Sequence, residues 1–257
     1  MIRNAITAER QPARRAVKAV IFGLDDTLYS EREYIMSGFR AVARYVHNIY
    51  GVDILNDLIE VYQAGEHADV VGCTLRRRFK SVEENVIRNV IHVLLGHQPR
   101  IRLFQDAKLA LALLSRKHIM MAAVTVGQSG AQRRKVEALG LDTWLDTITH
   151  TAELLASSEL DQALPDAFAI TGLLLNVDPQ EMIFVGDNPM VDFAIPKRMG
   201  IATVRIRRAQ GSHFSDEAPS NAHKPDLTLP SLDMLVEYLD SSRWPNSIRS
   251  GQNDSAV

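Results

Sequence analysis

The chain has 257 residues, 46% of them hydrophobic and 23% charged, with a formal net charge of −2. That length accommodates one large α/β domain with an inserted subdomain, or two small domains. The charge argues against a nucleic-acid binder acting through bulk electrostatics, no apolar run approaches the length of a membrane span, and the single Cys73 excludes an intrachain disulfide.

Residues 1–16 are basic but lack an apolar core and a cleavage-like site. They read as a disordered tail rather than a secretory signal, with organelle targeting through the arginines as the lesser reading; a cytoplasmic address is the default. Residues 17–24 form an apolar run that reads as a first buried strand. It ends in Gly23, Leu24, Asp25, Asp26 and Thr27. From Ser30 the pattern turns helical. EREYIMSGFRAVARYVHNIYG places Ile35, Phe39, Val42, Val46 and Ile49 at three- and four-residue spacing and stops at Gly51. DILNDLIEVYQAG and SVEENVIRNVIHVLLG repeat the periodicity, so residues 28–103 read as an all-helical insert.

After the helical KLALALLSRKH, IMMAAVTVG gives a second buried strand ending at Thr125 and Gly127. AQRRKVEALGL is a helix stopped by Gly140, and TWLDTITH holds a short third strand around Ile148. DAFAITGLLLNV is a helix, Met182 to Val185 a fourth strand, and IATVRIR a fifth. A helix ends at Gly200 between the last two. RAQGSHFSDEAPSNAHKP reads as loop, LPSLDMLVEYLD as a closing helix, and residues 241–257 as a disordered tail. Strands alternating with helices predict a doubly wound parallel α/β core over 17–27 and 104–240. In such a sheet the site lies beyond the carboxyl ends of the strands. Asp25, Thr125 and Asp187 all fall there.

Four ordered features resemble the haloacid dehalogenase-like hydrolases, and within them the phosphatases whose helical cap is inserted after the first motif. The family's first motif is Asp-x-Asp-x-Thr/Val; here Gly23-Leu24-Asp25-Asp26-Thr27 stands in its place. The second is a strand ending in Ser or Thr, here Thr125 followed by Val126-Gly127 rather than Asn-Gly. The third is a Lys before a Phe-containing helix, and the register puts Leu164 there, in Leu-Pro-Asp-Ala-Phe. The fourth is Gly-Asp, four residues, Asp, matched by Gly186, Asp187 and Asp192.

The resemblance implies a mechanism with assigned parts. The first carboxylate attacks phosphorus, and the second serves as general acid, then base. Mg²⁺ on hard oxygen ligands offsets the charge, while the second-motif hydroxyl and third-motif Lys hold phosphoryl oxygens. Carried onto this chain, Asp25 takes the acid/base position and its carbonyl the metal position. Thr125, Val126 and Gly127 take the phosphate position, and Asp25, Asp187 and Asp192 the metal position. Gly23 cannot attack and Leu164 cannot neutralise phosphate. Weak or absent Mg²⁺ binding is therefore expected.

Shifting the register to make Asp25 the nucleophile puts Thr27 at the acid position and does not restore the motif. Lys224-Pro225-Asp226 mimics the third motif but follows the fourth in chain order, and Lys135 reads as an outward-facing helix residue. Asp26 reads as a structural partner; Arg76, Arg77, Arg78 and Lys80 read as a solvated helix face. Asp187 and Asp192 could instead cap the helix that follows them. Three functions stay open: a phosphate- or Mg²⁺-binding pseudoenzyme descended from a phosphatase of small phosphorylated metabolites, an active phosphohydrolase with another nucleophile, and a structural partner of another enzyme.

Overall fold

The computed structural model describes residues 16–154 and 160–240, with side chains omitted at 160–162. The segments 1–15 and 241–257, read above as tails, lie outside the described residues. Six parallel strands form one sheet: β1 (Ala19–Phe22), β2 (Met120–Thr125), β3 (Thr147–His150), β4 (Met182–Gly186), β5 (Ala202–Ile206) and β6 (Leu227–Leu229), in the order β3-β2-β1-β4-β5-β6. The four residues of β1 are buried, as a strand covered on both faces requires. Ala19 lies level with Met120 on one side and Met182 on the other. The strand order reverses between β1 and β4, which makes the crevice beyond their ends the expected ligand position.

The first helices build the cap: α1 (Glu31–Tyr50), α2 (Leu55–Gln63), α3 (Val70–Arg78) and α4 (Glu84–Gly96). Phe39, Val42 and Val46 of α1 pack with Leu58, Leu75 and Val90 into an apolar cluster separate from those of the sheet. Gly51 adopts φ +67° and donates its N–H to the His47 carbonyl at 2.8 Å, ending α1 where the sequence placed the stop. Ile49, counted in the apolar stripe, is instead exposed, because the last turn of α1 runs past the cluster.

The remaining helices cover the sheet: α5 (Gln105–Arg116), α6 (Ser129–Leu139), α7 (Leu160–Leu175), α8 (Ala194–Arg198) and α9 (Asp233–Asp240). Leu111, Leu139 and Leu235 pack on one face of the sheet with Phe22 and Val204. Leu164, Phe168 and Phe193 pack on the other with Ile21 and Phe184, and the Phe168 and Phe184 rings meet edge to face at 5.0 Å.

Two elements differ from the sequence reading. The sixth strand has no counterpart in the sequence reading, whose loop stops at Pro225 and whose closing helix takes in Leu229, since three residues carry too short an alternation to register. It is held by Asp226, whose Oδ2 accepts from the Thr203 amide at 2.9 Å and hydroxyl at 2.7 Å. That contact also gives the Lys-Pro-Asp look-alike a structural task. The second difference is α7, which begins at Leu160 and carries Pro165 inside it, six residues ahead of the expected start at Asp166.

Candidate functional site

Gly23 follows β1 directly and donates its N–H to the Val185 carbonyl at 2.8 Å. It therefore stands at the centre of the crevice, between the ends of β1 and β4. A Cβ built on it would meet Val185 O at 3.6 Å, Thr27 Oγ1 at 3.7 Å and Gly186 Cα at 3.8 Å, all ordinary contacts. The backbone thus admits a side chain that the sequence does not supply. Thr27 is fully buried and its hydroxyl has no hydrogen-bond partner among the described residues. A buried unpaired hydroxyl is costly, typically about 1–3 kcal/mol. This one borders the space where a residue-23 side chain would lie.

Asp25 is engaged on both oxygens. Lys135 Nζ donates to Oδ1 at 2.8 Å and Oδ2 at 2.9 Å, and the Tyr29 hydroxyl donates to Oδ1. Burial first, and the Asp25 charge second, raise the Tyr29 pKa far above its ordinary value, so the phenol keeps its proton and stays a donor. Lys135 is 5% exposed, and its ammonium lies 4.4 Å from the centre of the Tyr34 ring. This overturns the outward-facing reading of Lys135. The signal was present in the sequence: Ala131, Lys135 and Leu139 recur every four residues and share the buried face of α6. The apolar ends of that stripe were legible, and the lysine between them was read as surface only because it is charged.

Asp26 has φ +46°, a conformation that Asp tolerates better than most residues. Its carboxylate accepts the Glu31 amide at 3.0 Å and the Ser212 amide at 2.7 Å. It ties the first loop to the segment after β5, in line with the structural role read for it. Arg208 completes the support, donating to the carbonyls of Asp26 at 3.1 Å and Thr27 at 2.9 Å and pairing with Asp106 at 2.9 Å.

Thr125 ends β2 level with His150 at the end of β3, and the two side chains hydrogen bond at 2.8 Å. Burial lowers the His150 pKa, favouring the neutral imidazole. His150 was not singled out in the sequence, although it ends its strand as Thr125 does. Beyond Thr125 the chain turns through Gly127 at φ +112°, with Gln132 Nε2 holding the Val126 carbonyl at 2.9 Å.

The loop after β4 is built around Asp192. Its Oδ2 accepts the amides of Asp187 at 3.0 Å and Asn188 at 2.8 Å. A Cβ on Gly186 would collide with that carboxylate, so only glycine fits there. No described residue donates a hydrogen bond to the Asp187 carboxylate. Burial first, then Asp192 and the other nearby carboxylates, raise its pKa well above the usual carboxylate range. Burial also raises the Asp192 pKa, against the two amides that lower it.

Asp25, Asp187 and Asp192 do not form a ready Mg²⁺ site in this arrangement. Asp25 faces an ammonium, Asp192 accepts from two amides, and Asp187 alone is uncommitted. Among the described residues no three His, Cys, Asp or Glu side chains are grouped to hold a metal ion. Leu164 is remote in function as well as chemistry: it lies 7% exposed in the apolar cluster under α7. The cation near the site comes from α6 instead. No helix among the described residues is long and apolar enough to cross a membrane.

Residues 20–206 match the family model described as haloacid dehalogenase-like hydrolase. The chain is 26% identical to a glyceraldehyde 3-phosphate phosphatase of Methanopyrus kandleri over 239 residues, covering 88% of this chain and 97% of the relative. It is likewise 26% identical to a glyceraldehyde 3-phosphate phosphatase of Methanocaldococcus jannaschii over 239 residues, 87% of this chain and 97% of the relative. Among solved structures, the L-2-haloacid dehalogenase of Xanthobacter autotrophicus superposes with a TM-score of 0.57 at 19% identity, over 88% of this chain and 99% of that one. At that identity the likeness speaks for the fold.

Proposed function

This chain belongs to the haloacid dehalogenase-like hydrolases, and on that premise we propose that it is a phosphate-binding member that has lost phosphoryl transfer. The observation that carries the reading is the pair Gly23 and Thr27: a side-chain-sized space with an unpartnered buried hydroxyl beside it, where the reaction needs an attacking oxygen. Removing a covalent nucleophile costs on the order of 10⁴–10⁶ in kcat. The family's general acid/base is also held back, because Asp25 is clamped by Lys135 and Tyr29.

What remains suits binding. The Thr125 hydroxyl, hydrogen-bonded to His150, and the turn through Val126 and Gly127 stand at the end of β2, and Lys135 supplies positive charge at Asp25. The ammonium and the Asp25 carboxylate largely cancel, so a phosphoryl group would be held mainly by hydrogen bonds, and weakly. Mg²⁺ in this family neutralises phosphoryl charge; of the carboxylates that would hold it here, Asp25 and Asp192 are engaged and Asp187 alone has no described partner, and the binding reading does not depend on the ion. The phosphatase relatives point to small phosphorylated metabolites as the ligand class.

Lys135 favours the other reading, an active phosphohydrolase, in one respect: the chain retains a cation at the site. Assays of the purified chain with p-nitrophenyl phosphate and glyceraldehyde 3-phosphate, with Mg²⁺ added, separate the two. The expected result is no turnover above buffer, with phosphate raising the melting temperature and Thr125→Val abolishing that rise. Turnover that disappears in Asp25→Ala would overturn the proposal.

A further inference from the structure

A second cleft of about 930 Å³ opens where the cap meets the sheet, beside the crevice described above and sharing Asp26 and Arg208 with the support of its first loop. Its volume is within the range of sites for small organic ligands. None of Gly23, Asp25, Thr125, Lys135 or Asp187 lines it. Its walls come from the first loop and α1, the segment leading into α5, the segment after β5, and Pro230 after β6.

The lining is unusual for a chain of net charge −2. Five arginines, Arg32, Arg40, Arg100, Arg102 and Arg208, face two carboxylates, Asp26 and Glu33. Both carboxylates are engaged. Asp26 accepts two backbone amides, and Glu33 lies 3.6 Å from the exposed Arg102. Arg208 is fixed by Asp106 and two carbonyls, with its guanidinium 3.9 Å from the centre of the Phe104 ring. Arg32, Arg40 and Arg100 are exposed and have no ion-pair or hydrogen-bond partner for their guanidinium groups among the described residues. Their forks are therefore available to an anion in the cleft. Guanidinium forks match phosphate oxygens in pairs and stay charged at every accessible pH. Met36, Ile101 and Phe104 supply apolar lining beside them, which an inorganic ion would leave unused.

We propose that this arginine-lined cleft between cap and sheet is a binding site for a small organic di- or triphosphate. The phosphates engage Arg32, Arg40 and Arg100, and the organic group lies against Met36 and Phe104. Because α1 belongs to the cap and Phe104 and Arg208 lead into the sheet, a bound ligand ties the two together.

Isothermal titration calorimetry on the full chain, in metal-free buffer at low ionic strength, tests this with ATP and with inorganic tripolyphosphate. Saturable binding of both is expected, tighter for ATP. Arg40→Ser combined with Arg100→Ser should weaken each by at least about tenfold, since hydrogen bonds to charged groups are worth roughly 1.5–3 kcal/mol apiece. Arg77→Ser with Arg78→Ser, on the exposed face of α3, should change little. The proposal is overturned if neither probe saturates, if the α3 pair weakens binding equally, or if Arg40→Ser with Arg100→Ser leaves both probes bound as before, which would place the anion outside this cleft. Tripolyphosphate binding as tightly as ATP would remove the organic part of the assignment.

Discussion

The two sides of the crevice have met different fates. On the β4 side the fourth-motif residues are all present, and two of them build the loop: Asp192 holds two amides and Gly186 leaves room for it, while the Asp187 carboxylate accepts from no described residue. On the β1 side the nucleophile position holds Gly23, so the motif's side chain is absent and the buried Thr27 hydroxyl beside it lacks a partner among the described residues. The same holds for the third motif, where Leu164 fills apolar core while Lys135 brings charge from another helix. A residue whose side chain serves only the reaction can be exchanged without unfolding its loop; a residue that satisfies buried amides cannot. Asp25 and Asp26 differ one residue apart, the first paired with the side chain of Lys135 and the second bonded to backbone amides.

The largest expected effect tests the β1 side. Gly23→Asp alone should restore measurable, Asp25-dependent hydrolysis of p-nitrophenyl phosphate, from a starting point lowered by on the order of 10⁴ or more. The backbone accepts the new Cβ without a clash, and Lys135 already provides a cation. A folded Gly23→Asp protein that stays inert would break the claim that this side lost chemistry alone.

Leu164→Lys comes next. Rebuilding the third motif in place should not help, because the ammonium would enter an apolar cluster without a partner. A loss of roughly 3–5 kcal/mol is expected in urea denaturation, and a neutral result would mean that α7 opens easily. Asp192→Ala should destabilise by about 2–4 kcal/mol through two orphaned amides, read by the same denaturation midpoint. If it costs nothing, the β4 side is as dispensable as the β1 side.

The smallest effect is a gain. Asp187 has a raised pKa in the fold, so ionising it costs more in the native state than in the unfolded chain. Native stability from this group is therefore full below the unfolded carboxylate pKa and declines as pH rises toward the folded value. Asp187→Asn should raise the melting temperature at pH 7, by about 2–4 °C for each kcal/mol relieved. The gain should vanish near pH 3, where both states carry a neutral side chain. Melting curves at the two pH values check the sign.

Much of the site was legible before the coordinates. The strand-end rule placed Asp25, Thr125 and Asp187 at one edge of the sheet, where they are found. The same rule, applied to TITH, would have found His150. Lys135 was discoverable from the four-residue repeat of Ala131 and Leu139, but the charge itself argued for the surface, and a single sequence does not show that Asp25 waits at the other end. Nothing in the sequence joined Arg32, Arg40, Arg100 and Arg208, which come from segments up to 176 positions apart.

The sequence by itself determined the parallel α/β core, the helical insert and the absence of a side chain at position 23, because periodicity and the presence or absence of an atom are local facts. The tertiary structure decided which charges meet. Pairing energies depend on distance and burial, and these are set only when helices from distant parts of the chain close over the ends of the strands.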